Sequence, residues 1–130
     1  MQLLTIKQYG NGKPDLFRAW HARTLWQRLR GLIARPALKA GEGLLITPCN
    51  SVHTIGMRYP LDLVFLDQQG SVVKCVPDVK SNRLAAARKA RHALELPVGS
   101  IAEARIAVGD RLDWTEIKNM TASKSSKGAR

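Results

Sequence analysis

Residues 61–76 read LDLVFLDQQGSVVKCV, and this stretch decides the fold. Leu63-Val64-Phe65-Leu66 is apolar at every position, a pattern that suits a strand covered on both faces. The polar loop Asp67-Gln68-Gln69-Gly70 follows, and Ser71 to Val76 is again rich in valine. The stretch is therefore expected to form a β-hairpin. Asp62 interrupts it, set between Leu61 and Leu63. An unpaired buried polar group costs about 1–3 kcal/mol, so this carboxylate needs donors. Arg58, Thr54, His53 and backbone N–H groups are the candidates.

Upstream, Leu3 to Ile6 begins a short strand, ended by Gly10-Asn11-Gly12 ahead of Pro14. Leu16 to Ala22 reads as a second strand, with Phe17, Ala19 and His21 on one face and Arg18, Trp20 and Ala22 on the other. Thr24 and Gln27 form a capping box. Leu25, Leu29, Leu32 and Ile33 then recur at helical spacing, and Pro36 should stop this amphipathic helix near Ala34. Leu44 to Thr47 is extended, Val52 to Ile55 continues it, and Gly56 is expected to mark a bulge.

Downstream, residues 81–91 have high helix propensity but no apolar stripe beyond Leu84 and alanines, so an exposed loop or loose helical turn is expected. His92 to Leu96 reads as a strand. Ser100 and Glu103 make a second capping box over a short helix ended by Gly109, and Arg111 to Ile117 is the last strand. The fold class expected is α+β: a mainly antiparallel, curled, barrel-like sheet with one amphipathic helix and one short helix. Residues 1–117 should form a single globular domain, and the polar stretch 118–130 a disordered basic tail.

Composition narrows the classes. The chain has 130 residues, 45% of them apolar, and two cysteines, too few for a secreted disulfide framework. The N-terminus lacks the features of a signal peptide, and nowhere do 18 or more apolar residues run together, so no helical membrane span is expected. A cytoplasmic protein with free thiols is the expectation. Net charge is +11. Residues 1–42 carry eight Lys/Arg against Asp15 and Glu42, the tail adds Lys118, Lys124, Lys127 and Arg130, and residues 43–80 balance. Such a field attracts polyanions.

The segment from Cys49 to Asp62 concentrates the side chains that chemistry could use. Cys49, His53 and Met57 recur every four residues, a soft ligand set for copper or zinc. Pro48, Gly56 and Pro60 argue for extended chain, however, where residues four apart stand roughly 13 Å from each other. No metal and no cofactor is therefore expected. Cys49, His53 and Asp62 supply the residue types of a nucleophile, its base and an orienting acid, without any surrounding hydrolase signature. Cys75, among valines, reads as core. Arg23, Arg28, Arg30, Arg35 and Lys39 with Trp20 and Trp26 could give a basic face, but no nucleic-acid motif accompanies them.

Several segments taken together carry a family resemblance. They are Arg30-Gly31-Leu32-Ile33, Arg35-Pro36-Ala37-Leu38, Glu42-Gly43-Leu44-Leu45, the run from His53 through Met57-Arg58-Tyr59-Pro60-Leu61-Asp62 to Asp67, Leu94-Glu95-Leu96-Pro97-Val98-Gly99 and Val108-Gly109-Asp110-Arg111. In that order, from about residue 16 to 117, they resemble the bacterial and archaeal family called domain of unknown function 192. Ile33 and Leu44 stand where the family usually has Met. The resemblance implies a compact, mostly β domain with a short helix, and it implies no activity. It also implies that the Met57–Asp62 and Glu95–Pro97 motifs form a shared surface or pocket.

The function expected is a binding or interaction module without enzymatic activity, acting on a small ligand or a protein. Its pocket should be lined by Arg30, His53, Thr54, Met57, Arg58, Asp62 and Glu95. A small hydrolase or transferase using Cys49, His53 and Asp62 is the alternative. Polyanion binding through residues 18–39 and the tail is a third reading. The first reading requires the mid-chain polar groups to converge on one hollow.

Overall fold

The computed structural model describes residues 1–10, 15–24 and 37–117. Nine strands and one short helix occur among them. The strands are β1 (Gln2–Gln8), β2 (Phe17–Ala22), β3 (Glu42–Ile46), β4 (Ser51–His53), β5 (Leu61–Leu66), β6 (Val72–Val79), β7 (Leu84–Ala86), β8 (His92–Pro97) and β9 (Leu112–Glu116). The helix, α1, is Ser100–Ala104. Seven strands form one sheet in the order β6-β5-β8-β3-β2-β1-β9, and β4 with β7 makes a separate two-stranded ribbon. Only β2 and β3 pair in parallel within that sheet.

The hairpin at 61–76 is present, and every residue of β5 is buried. Asp67 fixes its turn by accepting from the Gln69 and Ser71 amides at 2.9 Å each, an Asx-type turn. The alternation of β5 divides the core. Val64 and Leu66 point to one side, with Leu4, Ile6, Leu45, Leu94, Leu96 and others. Leu63 and Phe65 point to the other, against Val52, Val79, Ala85 and Ala93. Burying each such large side chain contributes about 1.5–3 kcal/mol. Both faces are therefore covered, as the apolar run required.

The sheet curls until its ends meet. Ser71 bridges Arg111, and the Leu112 amide donates to the Gly70 carbonyl at 2.9 Å. Gly70 has a φ of +87°, and a Cβ there would run into the Leu112 carbonyl oxygen. Glycine is required at this seam on both counts.

Three expectations need correction. The region 81–91 is no loose helix, because Leu84–Ala86 pairs antiparallel with β4, Val52 opposite Ala85 and His53 opposite Leu84. Val52 to Ile55 does not continue β3; β4 leaves the main sheet and packs over it. The short helix is present, but Gly99, not Ser100, is its N-cap, and no side chain of its own caps it. The Ser100 hydroxyl instead donates to the Pro97 carbonyl at 2.6 Å. The fold is thus mostly β, with α1 the only helix among the described residues. Residues 25–34 of the expected amphipathic helix, and the tail 118–130, lie outside the described residues.

Candidate functional site

Asp62 and Glu95 lie on neighbouring strands, where Leu63 pairs with Glu95 and Asp62 with Leu96. Asp62 is 1% exposed. Its Oδ1 accepts from the Asp78 amide at 2.9 Å, and its Oδ2 from the Gly99 and Ile101 amides at 3.1 and 2.9 Å. It thereby caps the first turn of α1 from outside the helix. It also ties down a kink in β6, where Asp78 adopts a φ of +52° and the β5–β6 register shifts. The donors are backbone N–H groups; Arg58, Thr54 and His53 are not among them. This carboxylate is fully engaged in structure.

Glu95 is the opposite case. It is 6% exposed, and no hydrogen bond to its carboxyl forms among the described residues. Burial alone pushes it up to about 7 from the usual carboxylate range. It sits in a cross-sheet row with Trp20, Leu44 and Leu63, on the face that carries the cluster of Ala22, Leu44, Ile46 and Leu61. Met57, Tyr59 and Cys49 pack onto this cluster while staying partly exposed. The Tyr59 hydroxyl is buried without a hydrogen-bond partner among the described residues. Burial, and then the charge of Glu95, raises its pKa.

The remaining candidates scatter. His53 is exposed on the outer side of the ribbon, opposite Leu84. Thr54 is buried, its hydroxyl donating to the Lys80 carbonyl at 2.7 Å and accepting from the Arg83 amide at 2.9 Å. It holds the ribbon to β6. Arg58 is exposed. Cys49 donates its thiol to the Ser51 carbonyl at 3.1 Å, and the extended run Ser51–His53 separates it from His53. Asp62 faces the interior through its α1 contacts, while the His53 side of the ribbon faces away from the sheet. The structure therefore does not bring Cys49, His53 and Asp62 together. It does bring Met57 and Glu95 to one face. Arg30 lies outside the described residues. Cys49 and Cys75 are not joined in a disulfide, and burial pushes the Cys75 thiol up, with Asp110 and Asp62 adding to it.

Two functional-looking elements escaped the sequence reading. Tyr59 was passed over beside its polar neighbours. The other is a chain of side chains linking two buried histidines through a half-buried threonine: His21 Nε2 lies 2.9 Å from Thr47 Oγ1, which lies 2.7 Å from His92 Nδ1. The hydroxyl has one proton, so at least one of the two imidazoles donates to it. Burial, then the charge of Arg23, lowers the His21 pKa. Burial and the neighbouring His21 and Arg91 lower that of His92 to about 4, so both rings are neutral at pH 7. His92 also meets Trp114 edge-on at 4.8 Å. The inward face of β2, where His21 follows Phe17 and Ala19, was the available signal. A cavity of about 610 Å³ lined by Met1, Gln2, His21, Arg23 and Thr24 adjoins this chain.

Curled sheet, covering ribbon and partly buried apolar face together define a small, mostly β domain. The chain belongs to the family DUF192, Uncharacterized ACR, whose model matches residues 6–114. It is 31% identical over 111 residues to a UPF0127 protein of Thermococcus sibiricus, covering 79% of this chain and 70% of that one. Two crystal structures share the fold. One, a protein of unknown function from Novosphingobium aromaticivorans, has a TM-score of 0.73 at 24% identity, over 86% of this chain and 84% of that one. The other, from Sinorhizobium meliloti and described as a "putative transcription regulator", has a TM-score of 0.74 at 19% identity, over 87% and 92%. At these identities the likeness concerns the fold alone. No helix among the described residues is long and apolar enough to cross a membrane.

Proposed function

We propose that this protein is a non-enzymatic binding module whose site is the apolar face around Glu95, beneath the 49–60 segment. One observation carries this reading: the Tyr59 hydroxyl is buried with no hydrogen-bond partner among the described residues, and the Glu95 carboxyl, 6% exposed on the same face, receives none from them either. Buried polar groups are nearly always paired. Two such groups that the described residues leave unpaired are the few polar anchors by which a mostly hydrophobic site orients a ligand. Trp20 and Met57 supply contact area, and the flexible thioether of Met57 adapts to shape. The ligand class that fits is a small, largely apolar molecule bearing an amine or amide N–H for Glu95. Cys49 and His53, separated by an extended segment, give the hydrolase alternative less support.

A thermal-shift screen of aryl amines and aryl amides tests the proposal. Binders should raise the melting temperature of the wild type. Glu95→Gln and Tyr59→Phe should each weaken them, by about tenfold where a charged hydrogen bond is lost. Binders unaffected by both substitutions, or no binder at all, would overturn it.

A further inference from the structure

The ribbon carries a second surface. Residues 49–60 and 72–92 contain seven Lys/Arg and a single acid, Asp78. In sequence, residues 43–80 balance because Asp62 and Asp67 count against the cations. In space they do not. Asp62 is buried against α1, and Asp67 turns its carboxylate onto the hairpin amides, on the Arg91 side of the ribbon, where its charge still reaches His92. What remains around the ribbon is almost wholly cationic. Arg58, Arg88, Lys89 and Arg91 are exposed, and their side chains make no hydrogen bond or ion pair among the described residues. The alanines explain their direction: Ala85, Ala87 and Ala90 pack inward on the core beneath the ribbon, which turns Arg88 and Lys89 outward.

Among these cations stand two large aliphatic side chains. Leu84 is 74% exposed and Ile55 is 61% exposed. Leu84 pairs with His53, and the Thr54 amide donates to the Arg83 carbonyl. Ile55 follows in the turn that the Met57 amide closes on the Thr54 carbonyl, just beyond the ribbon end where Leu84 pairs. Large aliphatic side chains left exposed among cations mark a contact surface. A nucleic-acid backbone has phosphates for the cations but nothing for Leu84 and Ile55. An anionic bilayer has both, phosphate and carboxylate headgroups above an apolar layer.

We propose that the outer face of the β4–β7 ribbon docks on anionic lipid membrane, with Leu84 and Ile55 entering the interface and Arg58, Arg88, Lys89 and Arg91 meeting the headgroups. This is peripheral attachment and independent of the Glu95 site. Cosedimentation of the full chain with phosphatidylserine–phosphatidylcholine vesicles tests it, with pure phosphatidylcholine vesicles and a single-stranded oligonucleotide run in parallel. The chain should pellet with the anionic vesicles and stay in solution with the neutral ones. Arg88→Ala and Lys89→Ala should each weaken the association about fivefold. Leu84→Ser with Ile55→Ser should weaken vesicle binding and leave any oligonucleotide binding unchanged. These positions are exposed, and an unchanged melting temperature verifies that the variants fold. Three results would each overturn the proposal: no pelleting with anionic vesicles, pelleting indifferent to Leu84 and Ile55, or pelleting abolished by removing residues 118–130 alone.

Discussion

The two sides of the β5–β8 pair treat a carboxyl in contrasting ways. On the inner side, Asp62 receives three backbone amides and joins β6, β8 and α1. On the ribbon side, Glu95 is nearly as deeply buried and receives none among the described residues. Burial alone therefore does not separate a structural acid from a candidate binding group. The supply of donors does. Asp62 is short and lies where two chain reversals aim their N–H groups at it. Glu95 projects from the middle of a flat row whose neighbours, Leu44 and Leu63, offer only carbon.

The sharpest way to break this contrast is Asp62→Ala, which orphans the amides of Asp78, Gly99 and Ile101. At about 1–3 kcal/mol for each buried donor left unpaired, a loss of about 3–5 kcal/mol is expected in chemical denaturation. That is a large share of a domain's usual 5–15 kcal/mol, roughly stated. A loss under about 1 kcal/mol would refute the structural role.

The pH dependence of stability gives the next largest effect. Glu95, raised from 4.5 to about 7, stays protonated in the folded chain after the unfolded chain has ionised, so stability falls as pH rises through that window. His92, lowered from 6.5 to about 4, behaves the other way: the unfolded chain takes up its proton first, and stability falls as pH drops from 6.5 towards 4. Between these limits the two slopes oppose, and the wild type should show a shallow profile. Glu95→Gln should expose the His92 slope, with stability rising from pH 4 to 6.5, and should gain on the order of 3 kcal/mol over the wild type above pH 7. His92→Gln should leave the falling slope of Glu95. Urea midpoints across pH measure both, and parallel profiles for all three proteins would contradict the assignment. The smallest effect belongs to Tyr59→Phe. Removing an unpartnered hydroxyl should be neutral or stabilising by up to about 1 kcal/mol at pH 6.

What could be read in the sequence follows from how local the determinants are. The 61–76 hairpin was legible because an all-apolar run, a polar turn and a valine-rich run are adjacent. The faces of β2 were legible from alternation, and Phe17 and Ala19 do lie with one core while Trp20 and Ala22 lie with another. The strand at 84–86 was hidden, since Ala-Ala-Ala amid arginines favours a helix locally. There the small inward residue is Ala85 and the outward one is Leu84, the reverse of what hydrophobicity suggests. For the site, the motifs around Met57 and Glu95 are expected to share a surface, and Met57 packs on the cluster of Leu44, the strand partner of Glu95. The partners of Asp62 were invisible because backbone amides carry no residue identity, and the His21–Thr47–His92 chain was invisible because its members come from three distant strand regions.

Leu4 pairs with Glu116, and Ile6 with Trp114. During synthesis on a ribosome, β1 emerges before every other strand of the sheet and must wait for β9 before its second neighbour exists. Contacts this remote slow closure, so a nascent chain would hold its inner apolar lining open until β9 has left the tunnel. A chaperone that shields such linings should therefore matter to this domain most in the interval between β1 and β9.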